Sequence, residues 1–111
     1  VLEMLELSET KEWLNWFEAM EWASKLGDGW YIPSQKELMI IYASPRQKEF
    51  SESGWLWSST SEVFNDKAAW YIYFGFGDAR STGKTGKMHA RCIRGSFEDL
   101  LAWCFGKEEK C

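Results

Sequence analysis

The chain has 111 residues, of which 45% are hydrophobic and 27% charged, with eight Trp, seven Phe, four Tyr and a formal net charge of −4. This size suits a single domain spanning 1–111 around one core, and the composition excludes a disordered chain. The negative balance argues against general nucleic-acid binding, and no apolar run is long enough for a membrane-spanning helix.

The charge is unevenly spread. Residues 1–62 carry eleven acidic and five basic side chains, and residues 63–111 carry six acidic and eight basic ones. Arg80, Lys84, Lys87, Arg91 and Arg94 crowd together with only Asp78 against them. Such a cluster is either a solvated strand-and-loop surface or a patch that faces an acidic glycan or an acidic partner. No signal peptide is visible, and the chain begins with Val rather than Met.

In chain order, residues 2–7 read as an opening strand. From Thr10 to Leu26 the pattern is helical, with Trp13, Trp16, Phe17, Met20 and Ala23 at three- and four-residue spacing as a stripe turned to the core. Gly27 supplies a left-handed stop. Trp30-Tyr31-Ile32 is a short extended segment ending at Pro33. Ser34 and Glu37 then have the spacing of a capping box, which predicts a helix over 35–42 burying Leu38 and Ile41.

Residues 43–54 read as irregular, with Pro45 and Gly54 as breakers. Trp55-Leu56-Trp57 begins a strand, and 61–67 reads as a polar loop. Ala68–Phe76 is the best strand, apolar on both faces and therefore central. A long turn spans 77–87; its tip lacks the spacing of a phosphate-binding loop. Met88–Arg94 returns as a strand, and 96–105 as a short helix opened by Ser96 and Asp99. The order is that of an α+β domain, two helices packed on a small twisted antiparallel sheet with long loops.

Cys92, Cys104 and Cys111 make no CxxC pair and no zinc-spaced cluster, which leaves open one disulfide with a spare thiol or three free thiols. His89 is the only histidine, and no nucleophile partner is evident in the sequence. The expectation is therefore a non-catalytic chain with no metal and no cofactor. One Asn and one Asp at Asn65-Asp66 fall short of the oxygen ligands calcium takes.

Four segments in order carry a resemblance: Gly29-Trp30-Tyr31-Ile32-Pro33-Ser34 with Glu37-Leu38, then Trp57-Ser58-Ser59-Thr60, then Ala69-Trp70-Tyr71 with Phe74 and Gly77, and finally Arg91-Cys92-Ile93-Arg94. Over about residues 10–95 this resembles the domain at the C-terminus of bacterial collagen-like adhesins, once known only as a domain of unknown function. The sequence departs from that pattern at Tyr31, at Ala90 and in an extension over 96–111. The resemblance implies a C-type-lectin-like fold, shared with formylglycine-generating enzymes and with variable receptor-binding proteins of retroelements. Trp30, Pro33, Glu37, Trp57, Ser58, Ser59, Trp70, Arg91 and Arg94 are then fold-maintaining, with Trp57 and Trp70 as core anchors. Arg91 and Arg94 lie on opposite faces of their strand, one of them paired with Glu37 or Glu62.

The implied role is adhesion: an extracellular, cell-surface or virion module of bacterial or phage origin that recognises a glycan or protein receptor. Loops 61–67 and 77–87 are the candidate surface, through Asn65, Asp66, Lys67, Asp78, Arg80, Lys84 and Lys87. The alternative is a structural component of a virion or surface complex, with a homo-oligomer or larger assembly as partner. A formylglycine-generating-like enzyme is the remote alternative, since it needs a longer chain and a redox cysteine pair.

Overall fold

In the computed structural model, residues 5–51 and 54–106 are described. Nine elements follow one another: β1 (Glu6–Leu14), α1 (Trp16–Leu26), α2 (Gln35–Ala43), α3 (Gln47–Phe50), β2 (Trp55–Glu62), β3 (Asn65–Tyr73), β4 (Asp78–Gly83), β5 (Met88–Arg94) and α4 (Phe97–Phe105). The strands form one sheet in the order β1-β5-β2-β3-β4. Neighbouring strands run antiparallel except β2 and β5, which meet in parallel at Leu56 and His89. The sheet is therefore mixed rather than purely antiparallel, and four helices rather than two pack on it.

Three helix starts follow from side chains that satisfy free amides. Asn15 accepts from the Glu18 amide while the Glu18 carboxylate accepts from the Asn15 amide, each at 2.8 Å. Ser34 and Glu37 do the same for α2, and Ser96 and Asp99 for α4. The Asn15 box is why α1 begins at Trp16 and not near Thr10. Residues 10–14 belong instead to β1, which ends where Trp13 takes a positive φ of 57°. The opening strand thus runs to Leu14, well past the predicted 2–7, of which residues 2–4 lie outside the described residues. Moving the helix start also breaks the predicted stripe. Ala19 and Ala23 are buried, whereas Trp13 and Phe17 are more than half exposed.

The remaining corrections concern strands. Residues 61–67 are not a loop: β2 continues to Glu62, turns over Val63-Phe64, and β3 leaves at Asn65. Residues 77–87 hold β4, paired with β3 from Tyr73↔Asp78 to Ala68↔Gly83. The segment 43–54 contains the one-turn α3, which buries Phe50. Trp70 is half-buried rather than a core anchor, while Trp57 is 1% exposed.

The sheet separates two apolar clusters. On one side Leu38 and Ile41 of α2, Phe50, Ile72, Ile93 and Trp103 of α4 pack together. On the other, Ala19 and Ala23 of α1 cover Ile32, Trp57, Ala69 and Cys92. The small alanines let α1 approach closely, and neighbouring positions on β2, β3 and β5 feed opposite clusters.

Side chains from the first, second and fourth sequence motifs bind backbone. Ser58 donates to the Trp70 carbonyl at 2.7 Å and accepts from the Thr60 amide, and Thr60 accepts from the Gln35 amide. Tyr31 bridges Ile93 through its backbone, and its hydroxyl donates to Glu37 at 3.0 Å. Burial and the Glu37 carboxylate push the Tyr31 hydroxyl up to about 12. Arg94 pairs with Glu6 at 2.6 Å, so the carboxylate that answers an arginine of β5 is neither Glu37 nor Glu62.

Cys92 and Cys104 are free thiols, buried in different clusters; Cys111 lies outside the described residues. Burial pushes Cys92 up to about 12 and also raises Cys104. The reactive thiolate is therefore suppressed throughout the neutral range. In a Cys111→Ser variant, a thiol reagent at pH 8 is expected to label neither cysteine in the native protein and both after denaturation. Rapid native labelling would contradict this packing.

Candidate functional site

The start of β3, the end of β4 and the first turn of α1 converge on one cleft. Ala68 pairs with Gly83, the Lys84 amide donates to the Lys67 carbonyl at 2.8 Å, and the Trp16 amide donates to the Lys84 carbonyl at 2.9 Å. The cleft has a volume of about 440 Å³ and is lined by Phe17, Asp66, Lys67, Gly83, Lys84 and Thr85.

Lys84 sets the chemistry of this cleft. The sequence reads it as an exposed loop lysine, yet it is only 7% exposed. Its Nζ donates to the Asp66 carbonyl at 2.7 Å, 4.2 Å from the centre of the Trp16 ring and 5.8 Å from that of Phe17. A buried ammonium is costly unless compensated, and here an aromatic face and one carbonyl compensate it. An ammonium has three N–H donors. Among the described residues Lys84 makes one side-chain hydrogen bond and no ion pair, so donor capacity remains beside the cleft.

The other predicted site residues divide. Asp66 and Lys67 are exposed at the cleft, and Lys87 is exposed in the turn that leaves it. Asn65 is spent locally, its side chain accepting from the Lys67 amide at 3.0 Å. Asp78 and Arg80 lie elsewhere, opposite Tyr73 and Tyr71. Seven residues of extended strand separate Asp66 from Tyr73, about 23 Å at ~3.3 Å per residue. The two predicted segments thus meet at the cleft through Asp66, Lys67 and Lys84, while Asp78 and Arg80 lie away from it. Phe17 is a cleft residue that the sequence assigns to the core; the helical spacing that put it there holds, but its phase does not.

Among the described residues no three His, Cys, Asp or Glu side chains gather as a metal site would require. His89 lies against Trp13 at 5.3 Å, its Nδ1 enclosed and without a hydrogen bond among the described residues. No described helix is long and apolar enough to cross a membrane.

The family model of the Lcl C-terminal domain matches residues 4–94, from just before β1 to the last residue of β5. The chain belongs to the Lcl C-terminal domain family. Helix α4 lies beyond the matched span. Among solved structures, the Lcl C-terminal domain described here is similar to the snake venom toxin convulxin. That match has 11% identity and a TM-score of 0.58, covering 83% of this chain and 89% of that one. It is equally similar to a chain in the complex of a mutant von Willebrand factor A1 domain with botrocetin. There the identity is 13% and the TM-score 0.58, covering 83% and 91%. At these identities the likeness shows the fold, which is C-type-lectin-like. No curated protein matches the chain.

Proposed function

We propose that this Lcl C-terminal domain is a non-catalytic binding module of a secreted or surface protein, and that its cleft takes an anionic group of a glycan. The observation that carries this is the enclosed Lys84 ammonium, with donor capacity to spare beside a cleft that Lys67 also lines. A carboxylate or sulfate seated there gains charge-assisted hydrogen bonds from a cation already desolvated, so little further desolvation opposes binding. The ring of Phe17, 55% exposed, offers an apolar face for a sugar beside the charge.

Lys84→Met is the informative variant. It keeps the apolar stem beside Trp16 and removes the ammonium. Replacing an enclosed charge by an apolar side chain of similar shape is often neutral or stabilising, so the melting temperature is expected to hold or rise. Binding of an acidic glycan, found on a glycan and glycosaminoglycan array, is expected to fall roughly 10- to 100-fold. It should survive a calcium chelator and weaken in high salt. Unchanged binding in Lys84→Met and Lys67→Ser would remove the cleft from consideration.

A protein receptor is the second reading. Botrocetin forms a complex with a von Willebrand factor domain, and here Val63 and Phe64 project from the β2–β3 turn at 81% and 96% exposure. An array with no glycan hits, together with a pulled-down receptor lost in Phe64→Ser, would favour it.

A further inference from the structure

We propose a second binding surface, distinct from the cleft: Trp55, Tyr73 and Phe76 form a platform for the flat face of a neutral pyranose within an oligosaccharide. Trp55 and Tyr73 are cross-strand partners with rings stacked at 5.0 Å, and Phe76 meets Tyr73 edge-on at 5.3 Å. None of the three belongs to either core cluster. Trp55 is 44% exposed and Phe76 76% exposed, so large aromatic faces are left open to solvent.

The platform is held in place from beneath. The turn 74–77 is closed by hydrogen bonds from the Phe76 and Gly77 amides to the Tyr73 carbonyl, at 3.2 and 2.7 Å. Phe74 is buried and anchors the turn through its amide to the Gly54 carbonyl at 2.8 Å. Gly77 has φ +78° and lies so close to the Tyr42 ring that a Cβ there would collide with it. A Cβ on Gly75 would likewise collide with the Tyr73 ring. Phe76 is thus presented on a constrained turn, and little order remains to be imposed when a ligand arrives.

Polar groups flank the rings on the same face. Asp78 stands directly opposite Tyr73 and Arg80 opposite Tyr71, and directly opposed residues share a face of the sheet. Their mutual contact is long, 3.4 Å, and both are well exposed, so both are free to turn to a ligand. A carboxylate that accepts and a guanidinium that donates suit vicinal hydroxyls, while a pyranose with equatorial substituents lays its C–H face on an aromatic ring. The two charges cancel, which fits a neutral sugar and contrasts with the two lysines of the cleft. Size also favours a sugar: three rings and two polar side chains fall well short of the roughly 20–30 residues a side of a stable protein interface.

The test is titration of the whole chain with cellohexaose and with chitohexaose, read by calorimetry and by aromatic ring proton shifts. At least one is expected to bind at millimolar concentration, with shifts centred on these three rings. Phe76→Ala, on an exposed turn, is expected to weaken binding about tenfold, the order of losing one covered aromatic face. Asp78→Ala should weaken it as well. Phe76→Leu keeps apolar bulk without the ring, and should bind no better than Phe76→Ala. The proposal is overturned if neither oligosaccharide binds, or if folded Phe76→Ala binds as well as the parent. It is also overturned if the parent self-associates and Phe76→Ala abolishes this, which would make the face a protein interface.

Discussion

Trp57→Ala is expected to destabilise the domain by roughly 3–5 kcal/mol, a large part of the ~5–15 kcal/mol that holds a typical domain folded. Trp57 is 1% exposed and meets Tyr71 edge-on at 6.5 Å. Its indole nitrogen donates to the Leu14 carbonyl at 2.9 Å, pinning β2 to the point where β1 gives way to α1. Alanine would leave a cavity under α1 and an unanswered carbonyl at that junction. The melting temperature should fall by on the order of 15–20 °C. Trp57→Phe retains most of the volume and loses the N–H, so it should cost about 1–2 kcal/mol. Trp70→Ala, at a half-buried position, should cost clearly less than Trp57→Ala. Urea unfolding of the three variants checks the order. A Trp57→Ala cost below ~1 kcal/mol would mean that the cluster beneath α1 contributes little.

Helix α2 and helix α4 could be read directly because the signal is local: the Ser34/Glu37 and Ser96/Asp99 boxes state where each begins. The cores of β3 and β5 were legible for a related reason. They are interior strands, and Ala68-Ala69 with Ile72, or Ala90 with Cys92 and Ile93, must be apolar to sit there. The edge strands were not legible. Asp78-Ala79-Arg80-Ser81-Thr82-Gly83 and the polar run through β1 bury little on either face, so no alternation marks them, and charged edges resist unwanted pairing. For the same reason the polar hairpin arm at 61–67 reads as a loop. The cleft was half visible: Asp66, Lys67 and Lys84 stand out as polar positions, but the inward turn of Lys84 depends on Trp16, which is remote in sequence. Trp55, Tyr73 and Phe76 become a single surface only once the register of β2 on β3 is known.

Arg91→Ala is expected to cost roughly 2–4 kcal/mol, although Arg91 has no carboxylate partner among the described residues. Its Nε donates to the Ser8 carbonyl at 2.6 Å, and its Nη1 donates to the carbonyls of Phe50 at 2.7 Å and Glu49 at 3.1 Å. The guanidinium also lies 5.3 Å from the Phe50 ring centre. One planar fork thus joins β1, α3 and β5, and it answers the carbonyls where α3 ends. Arg94, on the opposite face, instead pairs with Glu6 over the Trp30 ring. That ion pair is partly exposed, so Arg94→Ala should cost about 1 kcal/mol, and less in high salt. The Arg91 contacts go to backbone dipoles in a half-buried site, so their loss should be nearly independent of salt. Lysine at 91 carries its donors on one point and cannot span carbonyls from two elements, so Arg91→Lys should recover less than half of the loss. Urea unfolding at low and high salt separates the two arginines. If Arg91→Ala became harmless in high salt, or if lysine restored full stability, the charge rather than the fork would be holding α3 against the sheet.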